Sequence, residues 1–123
     1  MNNIIAAQLF IQRLKPLLEQ NKVVFDPRNQ KTMRFLLEED MDESDVFEYL
    51  RKLDSSNYYD GPKADRNGEA GDIMMFLYPY EKTRIYIKLK IWTDKNGDFG
   101  AVISFHEEGD YDYTFLSILR NNP

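Results

Sequence analysis

The sequence contains no cysteine and only one histidine. Without cysteine, a disulfide-bonded scaffold and a thiolate metal site are both excluded, and a single imidazole argues against a zinc site. No apolar run approaches the roughly 20 residues needed to cross a bilayer, and no basic cluster precedes the apolar stretch near Met1. We therefore expect a cytoplasmic protein that uses no metal and no cofactor.

The chain also has fewer basic than acidic residues: it contains 16 Lys and Arg and 21 Asp and Glu, which gives a net charge of −5. This balance argues against a protein that holds nucleic acid by overall charge, although it leaves room for a local basic stripe. Acidic residues gather at 38–48 and 107–112, whereas Lys and Arg recur between 82 and 90. A small acidic protein is also suited to bind a basic partner.

The chain has 123 residues, and 42% of them are hydrophobic. This length and composition predict one globular domain over residues 1–123, with a single core. The sequence has neither a P-loop nor a GxGxxG motif, so nothing indicates a nucleotide-binding site.

Apolar spacing predicts helices over 4–20 and 29–38 and a third that begins after Asp42. Pro16 should kink or divide the first helix. A short strand is predicted at 22–25, between the first two helices. Together with the strands described below, this order predicts the α+β class.

Residues 54–72 show no periodicity, and so long a loop in a compact domain is typically functional or disordered. Three strands are predicted after it, at about 73–79, 84–92 and 99–106. The second has the clearest alternation. Its apolar face carries Ile85, Ile87, Leu89 and Ile91, and its other face carries Arg84, Tyr86, Lys88 and Lys90.

Asn96-Gly97 predicts a hairpin between the last two strands. The apolar row of the last strand is Phe99, Ala101, Ile103 and Phe105. A three-residue loop, Lys95-Asn96-Gly97, brings this row and that of the preceding strand to one face. It pairs Leu89 with Ile103, Ile87 with Phe105, Tyr86 with His106, and Lys88 with Ser104. One sheet face should then carry a compact patch made of Arg84, Tyr86, Lys88, Lys90, Ser104 and His106.

Such a patch has the groups that metal-free RNA cleavage requires. A base takes the 2′-OH proton, an acid protonates the leaving oxygen, and cations stabilise the charge that develops on the phosphate. A simpler interpretation stays open, in which Arg84, Lys88 and Lys90 are merely the solvated outer face of a strand and His106 is structural.

Three segments resemble the MqsR-type toxins of bacterial toxin–antitoxin systems, especially the members from Gram-positive bacteria. They are Asn57-Tyr-Tyr-Asp-Gly-Pro-Lys-Ala-Asp-Arg66, Ile85-Tyr-Ile-Lys-Leu-Lys-Ile91 and Val102-Ile-Ser-Phe-His-Glu107. The resemblance covers about residues 5–108, which leaves 109–123 as a C-terminal extension.

The resemblance implies a RelE-like fold, with helices packed on one face of a mainly antiparallel sheet. It implies the toxin of a type II toxin–antitoxin system, a ribosome-independent and metal-independent endoribonuclease that cleaves mRNA and is silenced by a cognate antitoxin. The catalytic residues would be Tyr86, His106 and Lys88. The substrate-binding residues would be Arg84, Lys63, Tyr59, Lys90 and Ser104.

The chain departs from the family pattern at two places. Asp60 stands where the loop pattern commonly has Lys, and residues 73–78 contain no counterpart of the glutamine expected before Tyr86. A carboxylate near a phosphate is electrostatically unfavourable. A second function therefore stays open: a catalytically degenerate RelE-like module that binds a basic protein through its acidic surface.

Overall fold

A computed structural model describes residues 2–26, 29–64 and 71–109, which form three α-helices and a five-stranded mixed sheet. The predicted α+β class is confirmed. The helices are α1 (Asn2–Glu19), α2 (Gln30–Glu38) and α3 (Glu43–Arg51). The extension from residue 110 onward and the end of the first resemblance segment, 65–66, lie outside the described residues. No helix in the described part combines the length and the apolar character needed to cross a membrane.

The strands follow the order β1-β5-β4-β3-β2 across the sheet. β1 is parallel to β5, and the other three pairings are antiparallel. The bounds are Val23–Phe25 for β1, Tyr58–Ala64 for β2, Asp72–Tyr80 for β3, Thr83–Asp94 for β4 and Gly97–Glu107 for β5. The four strands predicted from alternation and composition are confirmed.

The prediction that 54–72 is entirely loop is wrong, because the segment contains a 3₁₀ turn (Ser55–Asn57) and β2. β2 pairs with β3 through two register shifts, one between Tyr58 and Asp60 and the other between Asp60 and Lys63. Each shift interrupts the alternation of side chains. For this reason the strand leaves no period-two pattern in the sequence.

Side-chain caps set the helix starts. Asp42 accepts a hydrogen bond from the Asp45 N–H while the Asp45 carboxylate accepts one from the Asp42 N–H, which completes a capping box at α3. Asn29 caps α2 by accepting from the Thr32 N–H. α1 continues through Pro16 as one helix, so the predicted division is wrong.

One hydrophobic core joins the helices and the sheet. Leu14 of α1 and Val46 and Leu50 of α3 are buried in the same cluster as Ile87 of β4 and Phe105 of β5. Burial of each such side chain contributes about 1.5–3 kcal/mol. The apolar row of β4 is completely buried, as its alternation predicted.

The β4–β5 hairpin differs in detail from its prediction. A two-residue turn, Lys95-Asn96, sets Asp94 opposite Gly97, and a bulge at Ile103 follows farther along β5. The predicted pairing of Leu89 with Ile103 is therefore wrong, since Leu89 pairs with Val102. The other predicted pairs are confirmed: Ile87 with Phe105, Tyr86 with His106, and Lys88 with Ser104.

The bulge reverses the faces of the first half of β5. Val102 enters the core, while Phe99 and Ala101 pair with Trp92 and Lys90 on the opposite face. The predicted apolar row from Phe99 to Phe105 is therefore wrong before the bulge. An extra residue in one strand shifts side-chain parity by one position, which explains the reversal.

α2 completes the edge of β5 beyond the short strand β1. Asn29 Nδ2 donates to the Ile103 carbonyl oxygen at 2.8 Å and to Ser104 Oγ at 2.9 Å. The Phe105 N–H donates to Thr32 Oγ1 at 2.8 Å. Two side chains at the start of one helix thus satisfy strand groups that no neighbouring strand reaches.

Candidate functional site

Alternation along β4 places Tyr86 on the side of the sheet opposite its fully buried apolar row, and we call this side the Tyr86 face. Strand pairing brings four predicted site residues onto adjacent positions of β4 and β5: Tyr86 beside His106 and Lys88 beside Ser104. Arg84 and Lys90 extend the same row of β4 in both directions. The predicted clustering of these six residues is confirmed.

Tyr86 is at the centre of an aromatic group. Its ring centroid is 5.4 Å from that of His106, with 38° between the planes. Tyr59 of β2 lies on the other side, at 6.3 Å and 83°, and presents an edge to the phenol ring. Tyr86 is half-buried and Tyr59 is 47% exposed, so a ligand can reach this group from the Tyr59 side.

His106 is only 2% exposed, so its imidazole is closed off from solvent. Its Nδ1 lies 2.9 Å from the Glu107 carbonyl oxygen. A carbonyl only accepts, so Nδ1 carries the proton in this bond, and in the neutral ring Nε2 is then the acceptor. The Tyr86 ring lies against the imidazole. His106 is thus placed to act on Tyr86. The catalytic role that the resemblance implies for His106 would need an imidazole that a substrate can reach, and this imidazole is buried.

Two further predicted site residues are buried as well. Ser104 is 7% exposed and its hydroxyl accepts from Asn29. Lys90 is 7% exposed, and its ammonium nitrogen is 5.8 Å from the centroid of Trp92. Gly71 permits this packing, because a Cβ there would lie 2.7 Å from Lys90 Cε. Both residues belong to the wall of the site and not to its accessible surface.

The exposed cations of the face are already bound by carboxylates. Lys63 Nζ is 2.8 Å from Asp60 Oδ2. Arg84 makes two bonds to Glu108, at 2.8 and 2.5 Å. The hydrogen bond from Lys63, and then one from the Gly61 N–H, lower the pKa of the Asp60 carboxyl below its ordinary value. A phosphate that bound here would have to replace these carboxylates.

Glu108 is a site neighbour that the sequence prediction missed. With Tyr86 opposite His106, the antiparallel register places residue 108 beside Arg84, and the Glu108 N–H donates to the Arg84 carbonyl at 2.8 Å. The predicted strand register therefore already indicated that Glu108 lies beside Arg84. The sequence also indicated the Asp60–Lys63 ion pair, because the two opposite charges are three residues apart.

The neighbouring strand β3 gives the site an apolar floor. Leu77 pairs with Tyr86, and Met75, which is buried, pairs with Lys88. Leu77 thus occupies the strand position nearest the phenol, and no amide is present there. Apolar surroundings strengthen any charge interaction that Tyr86 or Lys88 makes, because the local dielectric is lower than that of water.

The arrangement contains groups that can take part in proton transfer. Among the residues that the structure describes, no group of three or more His, Asp or Glu side chains is placed to hold a metal ion. The Tyr86 phenol can act as an acid, and the His106 imidazole beside it can polarise the phenol. The Lys88 ammonium group, at the next position of the same face of β4, supplies a positive charge.

Comparison of the sequence and structure with protein-family models, with curated proteins and with solved structures finds no match.

Proposed function

We propose that this chain is an endoribonuclease that cleaves mRNA without a ribosome or a metal ion, as the toxin of a type II toxin–antitoxin system. The proposal includes a RelE-like fold whose helices pack on one face of the sheet and leave the Tyr86 face for RNA. One observation supports it most: the half-buried Tyr86 phenol lies against His106, with Lys88 on the same row of β4.

The proposed reaction is transesterification. The ribose 2′-oxygen attacks the adjacent phosphorus and loses its proton to solvent water, and the bond from phosphorus to the 5′-oxygen breaks. The products are a 2′,3′-cyclic phosphate and a 5′-OH, so one proton leaves the 2′-oxygen and one reaches the 5′-oxygen. The Tyr86 phenol carries an O–H group and is suited to donate the second proton.

His106 acts through Tyr86 in this proposal, because the imidazole is buried. It fixes the orientation of the phenol and is therefore a positioning residue. Lys88 is half-buried and lies two residues after Tyr86 on the same face of β4. In this proposal its ammonium group stabilises the negative charge that forms on the phosphate oxygens. Tyr59 supplies an exposed ring on which an unpaired base can stack.

Lys63 and Arg84 bind the RNA backbone by exchanging a carboxylate for a phosphate. Their present partners, Asp60 and Glu108, belong to exposed ion pairs, which are worth about 0–1 kcal/mol. Such pairs exchange readily. Arg84 binds Glu108 through two nitrogens, a geometry that also suits a phosphate.

Incubation of the purified protein with an end-labelled single-stranded RNA, in excess EDTA, tests the proposal. Cleavage with 2′,3′-cyclic phosphate and 5′-OH ends is the expected result. The absence of cleavage across a panel of RNA sequences, with protein shown to be folded by circular dichroism, would overturn it.

A second function is favoured by the ion pairs of Lys63 and Arg84. Their carboxylate partners weaken the attraction to phosphate, as expected for a RelE-like protein-interaction module that binds a basic partner. Measured affinity for single-stranded RNA separates the two functions, because only the ribonuclease requires RNA to bind at the Tyr86 face.

A further inference from the structure

A groove lies at the β1 edge of the molecule, away from Tyr86. Its volume is about 910 Å³, and it is formed by the end of α1, the strand β1, the exposed side of α2 and the start of α3. β1 is the last strand of the sheet, so one of its edges faces this groove. A cavity of this size corresponds to the larger ligand-binding sites of proteins.

The groove is apolar and unusually exposed. Leu37 is 83% exposed, Val24 is 56% exposed and Met33 is 38% exposed, and all three line it. Phe25, Met41 and Phe47 extend the apolar lining, and the Phe25 and Phe47 rings are 5.8 Å apart. Clustered exposed apolar groups mark interaction sites, and methionine adapts its shape to a ligand.

The described residues that line the groove carry charge of one sign. They include Asp42 and Glu43, and none of them is Lys or Arg. Hydrogen bonds from Ser44 and from the Asp45 N–H lower the pKa of the Asp42 carboxyl, which keeps it charged. The Glu43 carboxylate has no ion-pair partner among the described residues. An apolar floor with an acidic rim complements a segment that has an apolar face bordered by Lys and Arg.

We infer that this groove binds a basic amphipathic segment of a partner protein. The apolar face of the segment covers Leu37, Val24 and Met33, and its Lys or Arg side chains lie near Asp42 and Glu43. This inference deepens the second candidate function and does not depend on RNA cleavage. The two are tested by separate measurements, since peptide binding at β1 and RNA cleavage at Tyr86 use opposite parts of the sheet.

The probe is a fluorescein-labelled peptide of about 18 residues, with Leu at helical i, i+3, i+4 and i+7 spacing and Lys elsewhere. A matched peptide has Glu in place of every Lys. Fluorescence anisotropy with the full-length protein should show binding of the Lys peptide that weakens with added salt. Equal binding of the Glu peptide would overturn the charge argument.

Matched variants locate the site. Leu37→Ser should weaken binding by about tenfold, since it removes one buried apolar anchor. Leu9→Ser changes a leucine of α1 that is 56% exposed and lies outside the groove, and it should leave affinity unchanged. Glu43→Gln should weaken binding by about twofold and Glu48→Gln should not. Equal losses for Leu37→Ser and Leu9→Ser would overturn the assignment.

Methionine methyl spectra give an independent map. On addition of the Lys peptide, the methyl signals of Met33 and Met41 should shift, because both line the groove. Met74 and Met75 are buried elsewhere and should not shift. Shifts confined to Met74 and Met75, or self-association of the protein that Leu37→Ser abolishes, would overturn the inference, the latter by identifying a second copy as the occupant.

Discussion

At the scale of single residues, the site is governed by which charges are already paired. Lys63 and Arg84 are exposed but bound to carboxylates, whereas Lys90 is buried beside Trp92. The attraction of Lys63 and Arg84 for RNA phosphates therefore depends on their carboxylate partners, Asp60 and Glu108. Lys88 differs from them in burial, because it is half-buried on β4, two residues from Tyr86.

Asp60→Asn should strengthen binding of single-stranded RNA by about threefold, because it frees Lys63 and removes a negative charge near the phosphate path. Asn retains an oxygen that accepts from the Gly61 N–H. Asp94→Asn is the control, since it makes the same charge change at the hairpin turn. Anisotropy titrations of both variants give the comparison, and an equal gain for both would contradict a local role of Asp60.

The pH dependence of the Asp60–Lys63 pair follows from its lowered pKa. The pair contributes fully above the ordinary carboxyl pKa of 3.8, and the contribution is lost as the pH falls through the lower folded value. The affinity difference between Asp60→Asn and the parent protein should therefore persist down to a pH of about 4. Disappearance of the difference near pH 6 would show that the carboxylate is not held by Lys63.

His106 should reveal its positioning role through substitution. His106→Ala leaves a cavity beside Tyr86, whereas His106→Asn retains an N–H donor for the Glu107 carbonyl. We expect cleavage to fall by about a hundredfold in His106→Ala and to recover partly in His106→Asn. The activity that remains should keep the pH profile of the parent protein. A profile that loses one of its limbs in His106→Ala would assign His106 to direct proton transfer instead.

At the scale of elements, α2 and β5 depend on each other. Thr32 is 1% exposed, and its hydroxyl is the acceptor for the Phe105 N–H. Asn29 binds Ile103 and Ser104 at the point where β5 bulges. The helix start therefore fixes the strand that carries His106.

Thr32→Val should lower the free energy of unfolding by about 1–3 kcal/mol, because it keeps the shape of the side chain but leaves a buried N–H without an acceptor. Thr32→Ser retains the hydroxyl and serves as the control. Urea unfolding followed by circular dichroism measures both variants. A stability of Thr32→Val equal to that of the parent protein would contradict the dependence of β5 on α2.

The hairpin shows how far element prediction could reach. Alternation in β4 identified both faces, and the pairing of Tyr86 with His106 was predicted correctly. The predicted loop was one residue too long, and the predicted register of β5 had no bulge. The two errors compensate each other, so Tyr86 still pairs with His106. A two-residue turn followed by a bulge gives the same pairing there as a three-residue loop. Sequence alternation cannot distinguish these solutions, because a bulge depends on tertiary contacts such as those of Asn29.

Other features of the site lay beyond pattern reasoning. The burial of His106, against which the Tyr86 ring lies, depends on tertiary packing, whereas alternation assigns only a face. β2 was missed because its register shifts erase the two-residue period. In contrast, the cap of α3 at Asp42 was predicted correctly, since a capping box is local in sequence.

At the scale of the whole molecule, stability should decrease from the centre of the sheet to its edges. β4 has partners on both sides and a completely buried apolar row, while β2 and β1 are the edge strands. In native-state hydrogen exchange, the amides of Ile87 and Leu89 should exchange most slowly and those of β2 much faster. Equal protection of β2 and β4 would show that the edge strand is covered by another element.

The two proposed functional surfaces lie on different parts of the molecule. The Tyr86 face belongs to β2 through β5, and the apolar groove with its acidic rim lies at the β1 edge. The net charge of −5 suits a basic protein partner at the groove, whereas RNA binding relies on a few local cations. Partner binding and RNA cleavage are therefore separable by single substitutions.

The most direct test of the ribonuclease proposal is the single-turnover cleavage rate of Tyr86→Phe beside that of Tyr78→Phe. Both variants remove one phenolic oxygen from β strands of the same sheet, but only Tyr86 lies against His106; Tyr78 packs on Tyr49 on the core side. Loss of about a hundredfold or more in Tyr86→Phe, with an unchanged rate in Tyr78→Phe, is the expected result. Equal rates for both variants and the parent protein would contradict it.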